Sequence, residues 1–369
     1  MKLSTKSKEK KADKIFLWLV ILLITIGVLV FLSASLGILA KNESKFYGIL
    51  FNQIILGLGG GLIALFACYK INYKFWKKYS FYIFIFTILL MLLVFAPKIG
   101  FSHAGARRWI SLGSFTFQPV EFLKFGFVVY LSAWFSWVKN KMNNFKFGLL
   151  PLIISLALIS FLLLKQPDTK NLVIILIASL VIALVSGMPW KYLIGLFIAA
   201  VLGLTVLVCF KPYLIDRVQT FVEPNRDPTG SSFQLQQSLI AIGSGGIFGR
   251  GLGQSIQKFS YLPEPQGDSI FAVIGEEFGF IGSVAIIILF AIFALRGLKI
   301  AAKTPDLFSK LLTTGFIMLI ITQSFLNIAS IIGILPLTGV PLVFMAHGGT
   351  SLLVSLAEVG IILNISKFH

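Results

Sequence analysis

Glu121 and Lys124 stand three residues apart in an apolar stretch, a spacing that places both on one face of a helix where they can pair. Just upstream lie Arg107 and Arg108, followed by Trp109. Guanidinium forks match phosphate oxygens and an ammonium adds a point charge, so this neighbourhood suits an anionic, phosphate-bearing headgroup. Mutual neutralisation that merely holds helices together fits the same spacing, and spacing alone leaves both readings open. Asp268 directly precedes the apolar run that begins Ser269-Ile270-Phe271. There a carboxylate can cap a helix N-terminus. It can equally act as a general base at a membrane–water boundary, where partial burial tunes its pKa. Glu276 and Glu277 follow about two turns later. Neighbouring helical positions point about 100° apart, so at least one of them should face the protein interior. His103, His347 and His369 are too scattered for a metal site, and Cys68 and Cys209 lie in separate apolar runs, which argues against a disulfide framework.

The elements that must carry these groups follow from composition. Of 369 residues, 57% are hydrophobic and only 12% charged, and 36 are Phe; the mean hydropathy is +0.92. A soluble domain carries about 25% charged residues. Apolar runs long enough to cross about 30 Å of hydrocarbon recur along the chain. The expectation is an all-α polytopic membrane protein with about ten transmembrane helices, near 16–40, 48–69, 80–96, 117–137, 148–164, 171–187, 192–210, 269–295, 311–332 and 346–366. An even number puts both termini on one side. With residue 1 in the cytoplasm, the inside segments hold 19 Lys and Arg in 57 residues and the outside segments 12 in 104. That asymmetry has the sign the positive-inside rule demands, so both termini are expected to be cytoplasmic. The domain reading is a basic cytoplasmic tail over 1–15 and a single transmembrane domain over 16–369.

The net charge of +18 is accounted for by topology and by anionic lipid headgroups, without nucleic acid. The hydrophobic composition and recurring apolar runs exclude a soluble enzyme with a membrane tail, a secreted disulfide scaffold and a disordered hub. The longest stretch between spans, 211–268, combines turn formers at Pro224-Asn225-Arg226-Asp227-Pro228 and Gly230 with a glycine-rich section from Ala241 to Gly253. That section is too apolar for disorder and too rich in glycine for a spanning helix. It reads as a partly re-entrant segment over a cavity, its glycines serving close backbone packing rather than an anion-binding nest.

With those residues in hand, the chain resembles the SEDS family (shape, elongation, division and sporulation), which contains FtsW, RodA and SpoVE. Ala106-Arg107-Arg108-Trp109-Ile110 resembles the family's A-R-R-W element. Gln118-Pro119-Val120-Glu121 followed by Lys124 resembles Q-P-S-E-x-x-K, and Gln166-Pro167-Asp168 resembles Q-P-D. The run from Gln237-Ser238-Leu239 through the glycines to Tyr261-Leu262-Pro263-Glu264 and Gly275-Glu276-Glu277 is the most specific, and Leu335-Pro336 with Gly339, then Gly348-Gly349-Thr350-Ser351, resembles the family's C-terminal pattern. The stretches around 237–243 and 257–264 resemble FtsW more than RodA, while Leu337-Thr338-Gly339-Val340-Pro341 leans towards RodA. Where the family has P-E-x-H-T-D-F, this chain has Pro263-Glu264-Pro265-Gln266-Gly267-Asp268-Ser269, and Asp168 is followed by Thr169-Lys170-Asn171 instead of F-G-T.

The resemblance implies a peptidoglycan glycosyltransferase of the bacterial cytoplasmic membrane that polymerises lipid II into β-1,4 glycan strands on the outer face, by an inverting mechanism, during division or elongation. It implies Asp268 as catalytic base and Arg107, Arg108, Glu121, Lys124 and Asp168 as residues around the substrate and its diphosphate. A divalent cation, Mg²⁺ or Mn²⁺, could share the neutralisation of diphosphate, although the sequence shows no dedicated cage. Implied partners are lipid II and the growing strand, a class B penicillin-binding protein, and other membrane proteins of the divisome or elongasome. The main alternative is a flippase for the lipid-linked sugar. The chain lacks the matching halves common in transporters, and its one long outer loop favours chemistry on one face. A scaffold that only recruits a partner is the third reading, set apart from an enzyme by whether Asp268 matters.

Overall fold

The computed structural model describes residues 11–96, 100–103, 106–112, 115–223 and 232–368. Most of the basic tail and the turn at Pro224–Gly230 therefore lie outside the described residues. The chain is a helical bundle with one small sheet. Its helices are α1 (Lys14–Leu39), α2 (Glu43–Lys70), α3 (Tyr73–Leu93), α4 (Pro119–Val138), α5 (Phe145–Lys165), α6 (Thr169–Val185), α7 (Trp190–Phe210), α8 (Pro212–Val222), α9 (Phe233–Ser244), α10 (Ile270–Ala302), α11 (Leu307–Ile331) and α12 (Gly349–Phe368). Eight of them (α1, α2, α3, α5, α7, α10, α11 and α12) are long and apolar enough to cross a membrane. The fourth and sixth expected spans coincide with α4, which carries Glu121 and Lys124, and with the shorter apolar α6. The chain is a multi-pass membrane protein.

Burial separates the centre from the rim. In the most apolar stretches of α11 and α12, 78% and 89% of residues are buried, against 6% in α7. α7 is therefore a lipid-facing helix with little packing, and α11 and α12 form the axis around which α2, α4, α6 and α10 gather. The two ends of the chain meet on one side: the Asp13 amide donates to Ser366 Oγ at 3.0 Å, and the Asp13 carboxylate binds Arg296 at 2.7 Å.

The segment between α3 and α4 forms a three-stranded antiparallel sheet of β1 (Gly100–His103), β2 (Ala106–Leu112) and β3 (Phe115–Phe117). The sequence pattern leaves this stretch between two expected spans and assigns it no strands. The alternation of a strand turns successive side chains to opposite faces. Arg107 on β2 is accordingly exposed, while Arg108 is half-buried.

The glycine-rich section packs as expected, backbone on backbone. α10 breaks at Gly279, where φ is +67° and ψ −164°. A helix break frees carbonyls and amides that cannot be left unpaired inside a membrane protein. Here the glycine loop pairs them. The Arg250 and Gly251 amides donate to the Glu276 and Glu277 carbonyls at 3.0 and 2.9 Å, and the Phe280 and Ile281 amides donate to the Gly246 and Ile247 carbonyls at 2.9 and 3.2 Å. A Cβ at Gly245 would overlap the Gly275 carbonyl and one at Gly249 the Glu277 carbonyl, so only glycine permits this approach. The described parts of segment 211–268 are thus organised by α8, α9 and this loop.

Candidate active site around Asp268

Glu276 and Glu277 are both buried, more than the sequence required of either. Their carboxylates are fully occupied. Glu276 accepts from Ser255 Oγ at 2.6 Å and from the Ile256 and Gln257 amides at 3.0 and 3.3 Å, with Arg250 at 3.6 Å. Glu277 binds Lys258 Nζ at 2.7 Å and accepts from Ser33 Oγ of α1 at 2.6 Å. Lys258 is itself buried and donates further to the Gly253 carbonyl at 2.8 Å and to Ser33 Oγ at 2.9 Å. The ion pair therefore ties Lys258, near the start of the segment that leads into α10, to Glu277 on α10 itself, and Asp268 lies between the two in the chain.

The turn that presents Asp268 is held from three directions. Asn327 of α11 donates to the Asp268 carbonyl at 2.7 Å and also to the Val340 carbonyl at 2.7 Å. Gln234 of α9 donates to Ser269 Oγ at 3.1 Å, and the His347 amide donates to the Gln266 carbonyl at 2.6 Å. The capping reading of Asp268 does not hold. The cap residue of α10 is Ser269, and no side-chain hydrogen bond caps the helix. The Asp268 carboxylate is instead left for other work.

It faces cations. A Cβ added at Gly339, whose φ is +65°, would lie 3.1 Å from Asp268 Oδ2, 3.7 Å from Arg217 Nη2 and 3.8 Å from Lys170 Nζ. Three charged groups thus converge on one glycine. Lys170 Nζ donates to the Gly339 carbonyl, and Arg217 Nη1 donates to the Leu337 and Thr338 carbonyls at 2.9 and 3.0 Å. Asp168, Asp268, Arg108 and Arg217 all act electrostatically on Lys170. Burial pushes the Arg217 guanidinium below its ordinary pKa. Asp168 is fully buried and caps α6, accepting from Asn171 Nδ2 at 2.8 Å. Arg108 donates from Nε to the Gln166 carbonyl at 3.2 Å and from Nη2 to the Pro167 carbonyl, which brings it to the Asp168 turn.

The other charged residues expected at the site lie apart from this group. Glu121 and Lys124 form a buried pair at 2.9 Å, as their spacing foretold. Lys124 also donates to Gln323 Oε1 of α11 at 2.7 Å, and Gln323 Nε2 reaches the Pro341 carbonyl and Ser351 Oγ at 3.2 Å. Gln323 and Asn327 are four residues apart, so one face of α11 carries both. That face ties the loop after Gly339 to the Glu121–Lys124 pair on one turn and to the Asp268 turn on the next. Arg107 is exposed.

Arg217 and Asn327 were not singled out in the sequence. Arg217 sits on α8, whose Pro212 at the first turn was a readable helix start. Among the described residues no three His, Cys, Asp or Glu side chains converge as a metal site would require. Chemically, a carboxylate beside an ammonium and a guanidinium can accept a proton from a hydroxyl while its neighbours hold an anionic leaving group.

Comparison with known proteins places this geometry in context. A family model described as cell cycle protein, covering FtsW, RodA and SpoVE, matches residues 13–369. Stage V sporulation protein E of Bacillus subtilis is 36% identical over 366 residues, spanning 98% of this chain and 99% of that one. A probable peptidoglycan glycosyltransferase FtsW of Geobacter sp. (strain M18) is 36% identical over 354 residues, 96% of each chain. Among solved structures, a chain of a peptidoglycan synthase complex superposes with a TM-score of 0.78 at 28% identity, covering 96% of this chain and 97% of that one. RodA of Thermus thermophilus superposes with a TM-score of 0.69 at 25% identity, covering 97% and 98%.

Proposed function

The chain belongs to the FtsW, RodA and SpoVE family, and from that premise we propose that it is a peptidoglycan glycosyltransferase of the cytoplasmic membrane, polymerising lipid II on the outer face. The observation that carries this reading is the convergence of Asp268, Lys170 and Arg217 on Gly339. A hydroxyl nucleophile needs one base, and a diphosphate leaving group needs positive charge more than it needs an acid.

Asp268 Oδ2 takes the proton of the 4-hydroxyl on the acceptor GlcNAc. The oxygen attacks the anomeric carbon of the donor MurNAc from the face opposite its diphosphate. The new C–O bond forms as the bond to diphosphate breaks, which inverts the centre and gives the β-1,4 linkage. The electron pair leaves on the polyprenyl diphosphate, and the proton on Asp268 passes to water. Lys170, Arg217 and Arg108 supply the charge that stabilises the leaving group, and Asp168 fixes the Lys170 turn through its cap on α6. Exposed Arg107 extends this positive field towards incoming substrate. The Glu121–Lys124 pair, joined to the same loop through Gln323, holds the floor beneath it.

Among the described residues, no cluster of carboxylates or imidazoles forms a cage for Mg²⁺ or Mn²⁺. Asp168 is bonded to Asn171, and Asp268 faces two cations. A divalent ion would therefore arrive on the substrate's own diphosphate, and no step here depends on one. A class B penicillin-binding protein is the proposed crosslinking partner, with other division or elongation proteins around it. The similarity to a chain of a peptidoglycan synthase complex supports that pairing. The test is glycan synthesis from purified lipid II by the chain with its penicillin-binding partner. Translocation of lipid II across sealed vesicles, without polymer, would favour the flippase instead.

A further inference from the structure

A polar cavity lies along the loop that leads to Asp268. It measures about 270 Å³, and its lining includes Lys41, Lys45, Phe233, Tyr261, Glu264 and Gln266. Lys41 and Lys45, at the junction of α1 and α2, are exposed, and among the described residues neither pairs with a carboxylate. Their availability contrasts with the other cations nearby, since Lys258 is bound to Glu277, and Lys170, Arg217 and Arg108 are bound to carbonyls. Gln266 is 3% exposed. Its Nε2 donates to Glu264 Oε2 at 2.8 Å, but its Oε1 has no partner. A buried acceptor without a donor carries a desolvation cost that a ligand N–H would remove. Glu264 adopts φ +44°, a strained conformation for a residue with a side chain, and such strain gathers at functional sites.

The cavity thus offers two ammonium groups, a carboxylate with acceptor capacity to spare, a buried amide oxygen that lacks a donor, and the exposed ring of Tyr261. This set matches a peptide that carries both carboxylates and N–H or ammonium groups. A phosphate alone would satisfy the lysines but would meet Glu264 and leave the Gln266 oxygen unpaired. Gln266 is two residues from Asp268, so a ligand here sits within reach of the reacting sugar. We infer that this cavity binds the acidic peptide carried by the saccharide substrate, with Lys41 and Lys45 on its carboxylates and Gln266 Oε1 on a peptide N–H. The inference rests on the polymerase reading and adds to it a subsite that recognises the peptide.

The test is equilibrium binding of soluble GlcNAc-MurNAc-pentapeptide to the full chain in phosphatidylcholine nanodiscs. It compares wild type with the surface variant Lys41→Gln/Lys45→Gln, and the natural peptide with one whose carboxylates are amidated. Losing two exposed charge contacts is expected to weaken binding about tenfold, which corresponds to 1.4 kcal/mol. Amidation should cost wild type a similar factor and cost the variant nothing more. No binding by wild type, equal binding by the variant, or an amidation penalty that persists in the variant would each overturn the inference. So would loss of binding when phosphatidylglycerol is added to the discs, because a lipid headgroup would then hold the cavity. The readout does not need turnover, so absent polymerisation with intact binding counts against the catalytic reading alone.

Discussion

Replacing Lys258 with Met should destabilise the protein far more than an outer-loop lysine ordinarily would. The ammonium is fully buried and bonded to Glu277 at 2.7 Å, to Ser33 Oγ at 2.9 Å and to the Gly253 carbonyl at 2.8 Å. Methionine fills nearly the same volume but leaves the Glu277 carboxylate, 1% exposed, with only Ser33 and the Ser255 amide as donors. Removing one member of a buried ion pair costs about 3–5 kcal/mol, because the remaining charge stays desolvated. Glu277→Gln alone should cost a similar amount for the converse reason. The double variant Lys258→Met/Glu277→Gln buries no charge. It loses mainly the bond to the Gly253 carbonyl, a cost of about 1–3 kcal/mol. The double variant should therefore be more stable than either single one, with a coupling energy of at least about 2 kcal/mol. Reversible unfolding in mixed detergent–SDS micelles, followed by tryptophan fluorescence, reads all four corners of the cycle. Additive costs, or a Lys258→Met variant within about 0.5 kcal/mol of wild type, the usual range for a surface substitution, would refute the reasoning.

Three further outcomes are expected. Gly339→Ala puts a methyl 3.1 Å from Asp268 Oδ2 at a backbone φ of +65°, and should lower polymerisation by about tenfold or more, equivalent to the 1–2 kcal/mol of left-handed strain plus displacement of the carboxylate; gel analysis of glycan strands beside a thermal melt separates activity from folding. Arg217→Ala frees the Leu337 and Thr338 carbonyls and removes a cation from Asp268, so initial rates should show a raised KM for lipid II, and Arg217→Lys should rescue poorly because an ammonium cannot reproduce the fork. Gly249→Ala would collide with the Glu277 carbonyl and should lower the melting temperature by several degrees, whereas Gly243→Ala, with open space around it, should not.

The spans and the close packing of the glycines were legible because both follow from local composition. Long apolar runs have few alternatives in a bilayer, and glycine clusters without a phosphate-binding pattern serve backbone approach. The Glu121–Lys124 pair was legible for the same local reason. Asp268 was placed correctly at the start of a helix, yet its capping role was not decidable. Ser269 could take the cap, and Arg217, one of the cations that converge with the carboxylate on Gly339, lies 51 positions away in sequence. Lys258 reads as a solvated loop residue until the break at Gly279 folds the loop down onto Glu277. The short sheet after α3 was missed because strands of three to seven residues beside arginines carry little periodic signal. For Asp268 and Lys258 a pairing across many intervening residues set the outcome, and sequence pattern within a window does not carry such pairings.

The central claim is that Asp268 is the base of a glycosyl transfer. Its most direct test is lipid II polymerisation by the purified chain with its penicillin-binding partner, comparing wild type with Asp268→Asn, which keeps the shape of the side chain and removes its charge. The account predicts glycan strands from wild type and none from a variant that is folded and still bound to its partner. Equal polymer from both would contradict it and move the search for the base to Asp168 and Glu121.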